Sequence, residues 1–436
     1  MLPTARRILL ADCDAMFVAV ARLVDPEGAG QSPFLVVGGR RGGRGVVCSA
    51  SYEARTFGVR SGMPIGQAER LCPQAMFVPV PRGACSEKSA EVRTVLAEWA
   101  PVVEPASIDE FYLGLDGTEA LYHHEPLEET AARIRRDVTE RTGLTVTIGG
   151  GTNRLIAKLA VERAKPRPGT GGTGVLVVPP GQEGEFVASH ALADLPGVGP
   201  RFSAALRRRG LINVRDALPM DRGSLCLWFG PRTGEWLYQR IRGVGGTALA
   251  ESHDPKSVSR ENTFAQDLAG DDEVATELVR LTARVCRDLR DDGLQARTVT
   301  LKLRDFDFRT RQASRTIDAP AATERAILPV AAELLGRLRA QRRVPVRLMG
   351  VALSHFSDGR AAPQLSLFEA RPGAVPLETE RDRRLATTMD RIQDRFGREA
   401  IRAARLTEPA ADRGMIEEDA DRGAGRSRTG RGKPGD

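Results

Sequence analysis

Two short apolar runs each meet a cluster of carboxylates. Ile8-Leu9-Leu10-Ala11 leads into Asp12-Cys13-Asp14, and Ser107-Ile108-Asp109-Glu110 leads into Phe111-Tyr112-Leu113. An ionised carboxylate buried in such a run loses its hydration unless something pairs with it. Oxygen ligands suit Mg²⁺, which takes one or two protein carboxylates per ion and completes its shell with substrate phosphates. Carboxylates holding two such ions about 3.5–4 Å apart would serve phosphoryl transfer, because attacking and leaving oxygens are both stabilised. Asp12, Asp109 and Glu110 are therefore the candidate catalytic and metal-ligating residues, with the Cys13 carbonyl a further ligand. Adjacent residues on a regular strand face opposite sides, so Asp109 and Glu110 share a site only if the chain turns there. Either cluster alone would fit acids at a strand end facing water; the two together favour a metal site.

Several elements must position these residues. Residues 6–11 read as a buried strand, 14–22 as a helix, 34–37 and 46–50 as strands, and 65–72 and 86–99 as helices. The acids at 109 and 110 fall in a strand over 107–115. An amphipathic helix over 126–142 precedes the β-branched strand 144–148, which runs into Gly149-Gly150-Gly151 and a helix over 152–164 that carries Lys158. This order predicts an α/β domain with a mainly antiparallel sheet. A Pro/Gly-rich loop over 166–174 separates it from a small helical region. From 256 the pattern is helix 272–291, strands near 298–304 and 309–316, helix 322–340 and strand 346–353, an α+β module of about a hundred residues. The remainder holds an apolar island at 364–368, an amphipathic segment at 385–405 and a polar tail expected to be disordered.

Composition narrows the class. With 436 residues, two to four domains are expected. A net charge of +7 with dispersed arginines favours a polyanionic partner. The six cysteines show no C-x-x-C pair, which fits a reduced cytoplasmic protein. No secretory signal or membrane span is evident, and the expectation is a monomer without membrane contact.

The run Ser49-Ala50-Ser51-Tyr52-Glu53-Ala54-Arg55-Thr56-Phe57-Gly58-Val59-Arg60-Ser61-Gly62-Met63-Pro64 resembles the fingers motif of Y-family DNA polymerases, the lesion-tolerant group of the bacterial polymerase IV (DinB) type. Asp12 to Phe17 resembles the family's first acidic motif and Ser107 to Glu110 its second. Ile148 to Pro166, with Lys158 and Ala164-Lys165-Pro166, resembles the segment closing the palm. This resemblance implies a multidomain α+β chain. Residues 1–30 and 81–175 would form the palm, 31–80 small fingers, 176–250 a helical thumb with a helix-hairpin-helix, and 251–360 an α+β little finger. Residues 361–436 would be an extension with a disordered tail. It further implies two Mg²⁺ ions on Asp12, Asp109 and Glu110, and a dNTP contacted by Cys13, Phe17, Ser49, Tyr52, Arg55 and Lys158. An Arg fork and a mobile Lys charge both suit a triphosphate. Phe17 falls where the family places an aromatic that excludes ribonucleotides, although an apolar helix face of Met16, Phe17, Val18 and Val20 also fits core packing. Ala15, Ala21 and Cys85 depart from the family pattern without touching a metal ligand.

Pro196-Gly197-Val198-Gly199 before an Arg-bearing helix resembles the hairpin of a helix-hairpin-helix, whose backbone N–H groups meet DNA phosphates. Gly197, Gly199, Lys302, Arg304 and Arg311 would thus contact primer-template DNA. Gln364-Leu365-Ser366-Leu367-Phe368 resembles the peptide by which bacterial polymerases dock onto the sliding clamp, with Gln364, Leu365, Leu367 and Phe368 as anchors. The implied function is template-directed, low-fidelity translesion DNA synthesis. A catalytically dead clamp-bound scaffold conflicts with the intact acids. A nucleotide cyclase on a similar sheet leaves the hairpin, the basic module and the clamp-like peptide unexplained.

Overall fold

The computed structural model describes residues 6–166, 172–250, 254–357, 378–397 and 400–401. These divide into two compact units, one comprising 6–42 and 46–250, the other 43–45 and 254–401. In chain order the first unit begins with β1 (Ile8–Cys13), α1 (Met16–Val24), β2 (Leu35–Gly38), β3 (Val47–Ala50), α2 (Tyr52–Thr56), α3 (Ile65–Leu71) and β4 (Met76–Val78). It continues with α4 (Arg82–Trp99), β5 (Val102–Pro105), β6 (Glu110–Gly114), α5 (Leu127–Thr142), β7 (Val146–Gly151), α6 (Arg154–Ala164) and β8 (Val175–Val177). Then come α7 (Glu183–Ala188), a 3₁₀ turn at Leu192–Asp194, α8 (Pro200–Arg207), α9 (Val214–Ala217), α10 (Arg222–Phe229) and α11 (Pro231–Arg240).

The main sheet has the order β5-β6-β1-β7-β8, antiparallel throughout except for the β7–β8 pair. β1 lies at its centre and all six of its residues are buried, which explains an apolar run with no polar alternation. Period-2 geometry splits that run between two layers. Leu9, Ala11 and Cys13 join the core formed with α1, α4 and α5, while Ile8 and Leu10 pack with Tyr112, Ala157 and Val161 on the α6 side. Asp12 shares the parity of Ile8 and Leu10, so it faces α6. A separate small sheet, β3-β2-β4, carries α2 and α3 around its own core of Val36, Val47, Ala54, Ile65 and Ala68. The helices from α7 to α11 close on Leu206, Leu225 and Leu237 together with Leu155 and Leu159 of α6.

The second unit consists of β9 (Ser257–Leu268), α12 (Asp271–Asp291), β10 (Gln295–Asp305), β11 (Thr310–Ala321), α13 (Glu324–Gln341), β12 (Val346–Ser357) and α14 (Glu380–Phe396). Its sheet has the order β11-β10-β12-β9, with α12 and α13 burying one face. The helix-facing side of β9 is partly polar: Arg260 pairs with Asp288 and Asn262 donates to Glu277 at 3.0 Å. That is why β9 leaves no apolar alternation in the sequence. The polar extension also contains a docked helix. Arg290 binds both Asp390 of α14 and Glu324 of α13, and Glu378 accepts the N–H groups of Ala322 and Thr323 at 3.0 Å each. Residues 364–368 lie outside the described residues, as does the chain from 402 onward.

Gly149 lets α6 approach β7. A Cβ there would sit 2.2 Å from the Val161 nitrogen and 2.4 Å from the Ala157 carbonyl, both backbone atoms that cannot yield. Gly149→Ala is expected to lower stability in denaturant unfolding by about 1–3 kcal/mol, the cost of overpacking a filled interface. Gly66→Ala, with nothing within 4 Å of the added carbon, is expected to leave it unchanged or slightly raised.

Candidate active site

The carboxylates meet because of strand register. Asp12 of β1 lies directly opposite Glu110 of β6, as Leu10 lies opposite Tyr112, so both acids project on the α6 side. Asp109 does not belong to the strand. Residues 106–109 form the turn between β5 and β6, closed by the Ala106 N–H on the Glu110 carbonyl at 2.8 Å. The Ser107 hydroxyl donates to Asp109 Oδ1 at 2.5 Å and accepts the Glu110 N–H at 3.1 Å. The Cys13 N–H in turn donates to the Asp109 carbonyl at 2.8 Å, stitching the turn to the end of β1. The chain thus bends between the two adjacent acids.

Two lysines face them from α6 and its end. Lys158 Nζ lies 2.7 Å from Glu110 Oε1 and 3.7 Å from Asp12 Oδ2, and Lys165 Nζ lies 2.9 Å from the same Asp12 oxygen. The residue Asp12 is only 5% exposed. Burial pushes its carboxyl up to about 6 even though Lys165 and Lys158 pull it down. Burial works against the Lys158 ammonium as well, yet its bond to Glu110 leaves its pKa raised. Asp14 stands apart: it is buried, accepts the Thr147 hydroxyl at 2.7 Å and is held above the usual carboxylate range by burial. Lys165 is the site residue that sequence reasoning left without a role, although the Ala164-Lys165-Pro166 run marks it. Ser107 is another, its signal being its place two residues before a carboxylate.

The other expected site residues distribute as follows. Cys13 is buried with its side chain in the core opposite α6. Phe17, on the first turn of α1, is half-buried and packs against the cores on either side of that helix. Ser49 is buried on β3. Tyr52 and Arg55 sit together on α2, where the Arg55 guanidinium lies 5.2 Å over the Tyr52 ring and its Nε donates to the Ala50 carbonyl. A cavity of about 640 Å³ opens beside Lys158, bounded by Arg163 of α6 and by Ser189, His190 and Pro196. Pro196 begins the hairpin, in which Gly197 adopts φ +99 and packs its backbone on the Trp236 ring, where a Cβ would fall 2.7 Å from Cζ2. Gly199 caps α8, with Pro200 in its first turn.

In the second unit, Lys302 and Arg304 lie on the sheet face away from the helices, where Lys302 reaches Glu261 at 2.7 Å and Arg304 Nε bonds Thr310 at 3.0 Å. Arg311 does not join them. Its side chain is 8% exposed, and its guanidinium is bound to the fully buried Asp305 at 2.7 Å and to the Leu338 carbonyl. It braces the hairpin against α13 and offers no charge to a ligand, because its position in β11 turns it toward the helices.

Known proteins place this arrangement. Residues 11–162 match the impB/mucB/samB family, residues 255–367 match that family's C-terminal domain, and residues 193–245 match the thumb domain of DNA polymerase-iota. DNA polymerase IV of Desulfatibacillum aliphaticivorans is 36% identical over 408 residues, 94% of this chain and 98% of that protein. DNA polymerase IV of Halorhodospira halophila is 38% identical over 354 residues, 80% of this chain and 95% of that protein. Among solved structures, a Y-family DNA polymerase chimera, Dbh-Dpo4(243-245)-Dbh, superposes with a TM-score of 0.69 at 24% identity, covering 80% of this chain and 98% of its own. With relatives this similar along nearly its whole length, the chain belongs to the Y family of DNA polymerases, in the DNA polymerase IV group, and is a DNA-directed DNA polymerase.

Proposed function

We propose that the chain carries out translesion synthesis by two-metal nucleotidyl transfer from a dNTP to a primer 3′-hydroxyl, tethered to the sliding clamp. The observation that carries this reading is the register match of Asp12 with Glu110, with two ammonium groups against these carboxylates and Asp109 held in the adjoining turn by Ser107. The donor set fits Mg²⁺: its oxygens are hard. Among the described residues, no three acidic, histidine or cysteine side chains form a ready-made cage. Asp12, Asp109 and Glu110 would therefore need substrate phosphates and water to complete the shell of each ion. Bound there, two ions would polarise the α-phosphate and make the 3′-hydroxyl a better nucleophile.

The protein's own groups supply orientation. Lys158 and Lys165 hold the carboxylates now and carry the charge to meet a triphosphate, with Tyr52 and Arg55 on α2 as further phosphate ligands. Phe17 would abut the sugar and exclude a 2′-hydroxyl. The Gly197–Gly199 hairpin would take backbone phosphates of primer-template DNA, and Lys302 and Arg304 would lie along the duplex. Gln364, Leu365, Leu367 and Phe368 would dock on the clamp.

Asp109→Ala and Glu110→Ala are expected to lower primer extension with dNTPs and Mg²⁺ by at least ~10³-fold, several kcal/mol of transition-state stabilisation, while primer-template binding persists. Full extension by either variant would remove the two-metal reading. Because the Asp12 carboxyl is pushed up to about 6, protons compete with metal below that pH. Calorimetric titration with Mg²⁺ should show affinity falling by up to about tenfold per pH unit below 6 and levelling above it. A flat profile from pH 5 to 7 would remove the raised Asp12 pKa as a control on metal binding. Phe17→Ala should raise kcat/KM for ribonucleotides relative to dNTPs, and an unchanged ratio would make Phe17 a core residue. Deleting 364–368 should abolish stimulation by the clamp and leave unstimulated extension intact; equal stimulation of the deletion variant counts against tethering.

A further inference from the structure

The β10–β11 hairpin of the second unit ends in Phe306-Asp307-Phe308-Arg309. The Phe308 N–H donates to the Asp305 carbonyl and the Asp305 N–H to the Arg309 carbonyl, each at 2.9 Å. This is a turn followed by one residue in the left-handed region, a position that glycine ordinarily fills. Here it is Phe308, at φ +64. A bulky residue there is strained, and the ring gains no burial in return: Phe308 is 63% exposed and Phe306 48%. The tip is nonetheless braced by ion pairs. The fully buried Asp305 holds Arg311 and Arg342 at 2.7 Å each, and Arg342 also grips Asp307 at 2.8 Å. Its acids are therefore neutralised, and the cations left over are Arg304, Arg309 and Arg347, which make no direct salt bridge among the described residues, Arg347 feeling Asp267 only at longer range. The Arg347 guanidinium lies 4.5 Å over the Phe308 ring, leaving the opposite face open.

We infer that this tip is a stacking platform for unpaired nucleotides of the DNA on which the polymerase works. A phosphate backbone alone would satisfy the arginines but leave both rings in water. A protein partner would cover the rings but has no general need of three unpaired cations. Unpaired bases do both, because each presents a π-face to an aromatic ring while its phosphate meets an arginine. Fully paired duplex offers such faces only at its ends. The inference rests on the chain acting on primed DNA, so binding is read rather than synthesis.

Fluorescence anisotropy with two DNAs tests it: a primed duplex bearing a single-stranded 5′ overhang, and a blunt duplex of the same paired sequence. Wild type should prefer the overhang. Phe308→Ala should weaken overhang binding roughly five- to tenfold, the scale of one base–aromatic stack, and leave blunt binding within about twofold. Phe308→Trp should retain the preference. Phe308→Gly suits the backbone, so it should unfold at the same or a higher temperature yet lose the preference. Equal losses on both DNAs, or a destabilised Phe308→Gly, overturn the proposal and make Phe308 a structural residue. Retention of the preference by Phe306→Ala/Phe308→Ala overturns it in favour of a protein-facing surface. If wild type binds both DNAs equally, only this inference fails; if it binds neither, the polymerase reading fails with it.

Discussion

Everything in the first unit follows from the cost of placing Asp12 in a buried sheet centre. Its strand is covered on both faces, and a lone carboxylate at that depth would lose its hydration without recompense. The fold answers with register and with proximity. Register sets Glu110 opposite Asp12, and α6 brings the ammonium groups of Lys158 and Lys165 within bonding range of the pair. Proximity is possible only because β7 ends in glycines, one of which lets the backbone of α6 press against the strand. A run of small residues far from either acid in sequence therefore governs the electrostatics between them.

Such ion pairs are a weak source of stability, since desolvation consumes much of the Coulomb attraction. On the proposed reading their arrangement is readiness for ligands. Carboxylates already oriented by Ser107, by the turn at 106–109 and by two lysines need little reorganisation to accept cations. Lysines already poised over them are mobile charges that a triphosphate could draw away. The raised Asp12 pKa is the signature of that compromise: burial outweighs two nearby cations.

The second unit handles charge in the opposite way. Most of its buried charges are locked into structural pairs, such as Arg260 with Asp288, Arg311 with Asp305, and Arg290 between α13 and α14. These pairs tie strands to helices and fasten α14 to the module. Arg304 at the sheet's open face and Arg309 at the hairpin tip stand outside those pairs. Charge count alone does not separate the two groups, because Arg309, exposed in the turn, and Arg311, buried against Asp305, stand only two residues apart.

How much of this was legible in sequence depends on the range of the interaction. Local pattern sufficed for β1, α5, α12 and α13, whose apolar spacing matches a single period. The acids were recognisable as a candidate metal-binding set, and the motifs around Tyr52 and Lys158 pointed to the family, because both signals reside in residue types close together in the chain. Strands β4 and β8 are too short to show a period, and β9 hides its own by facing α12 with Arg260 and Asn262. The placement of Lys165 on Asp12, the turn that frees Asp109 from the strand, and the inward rotation of Arg311 were decided only in three dimensions. Each depends on which backbone groups pair across distant segments, and pairing partners are a property of the folded chain. The sequence by itself determined which residues could do chemistry; tertiary structure decided which of them face one another.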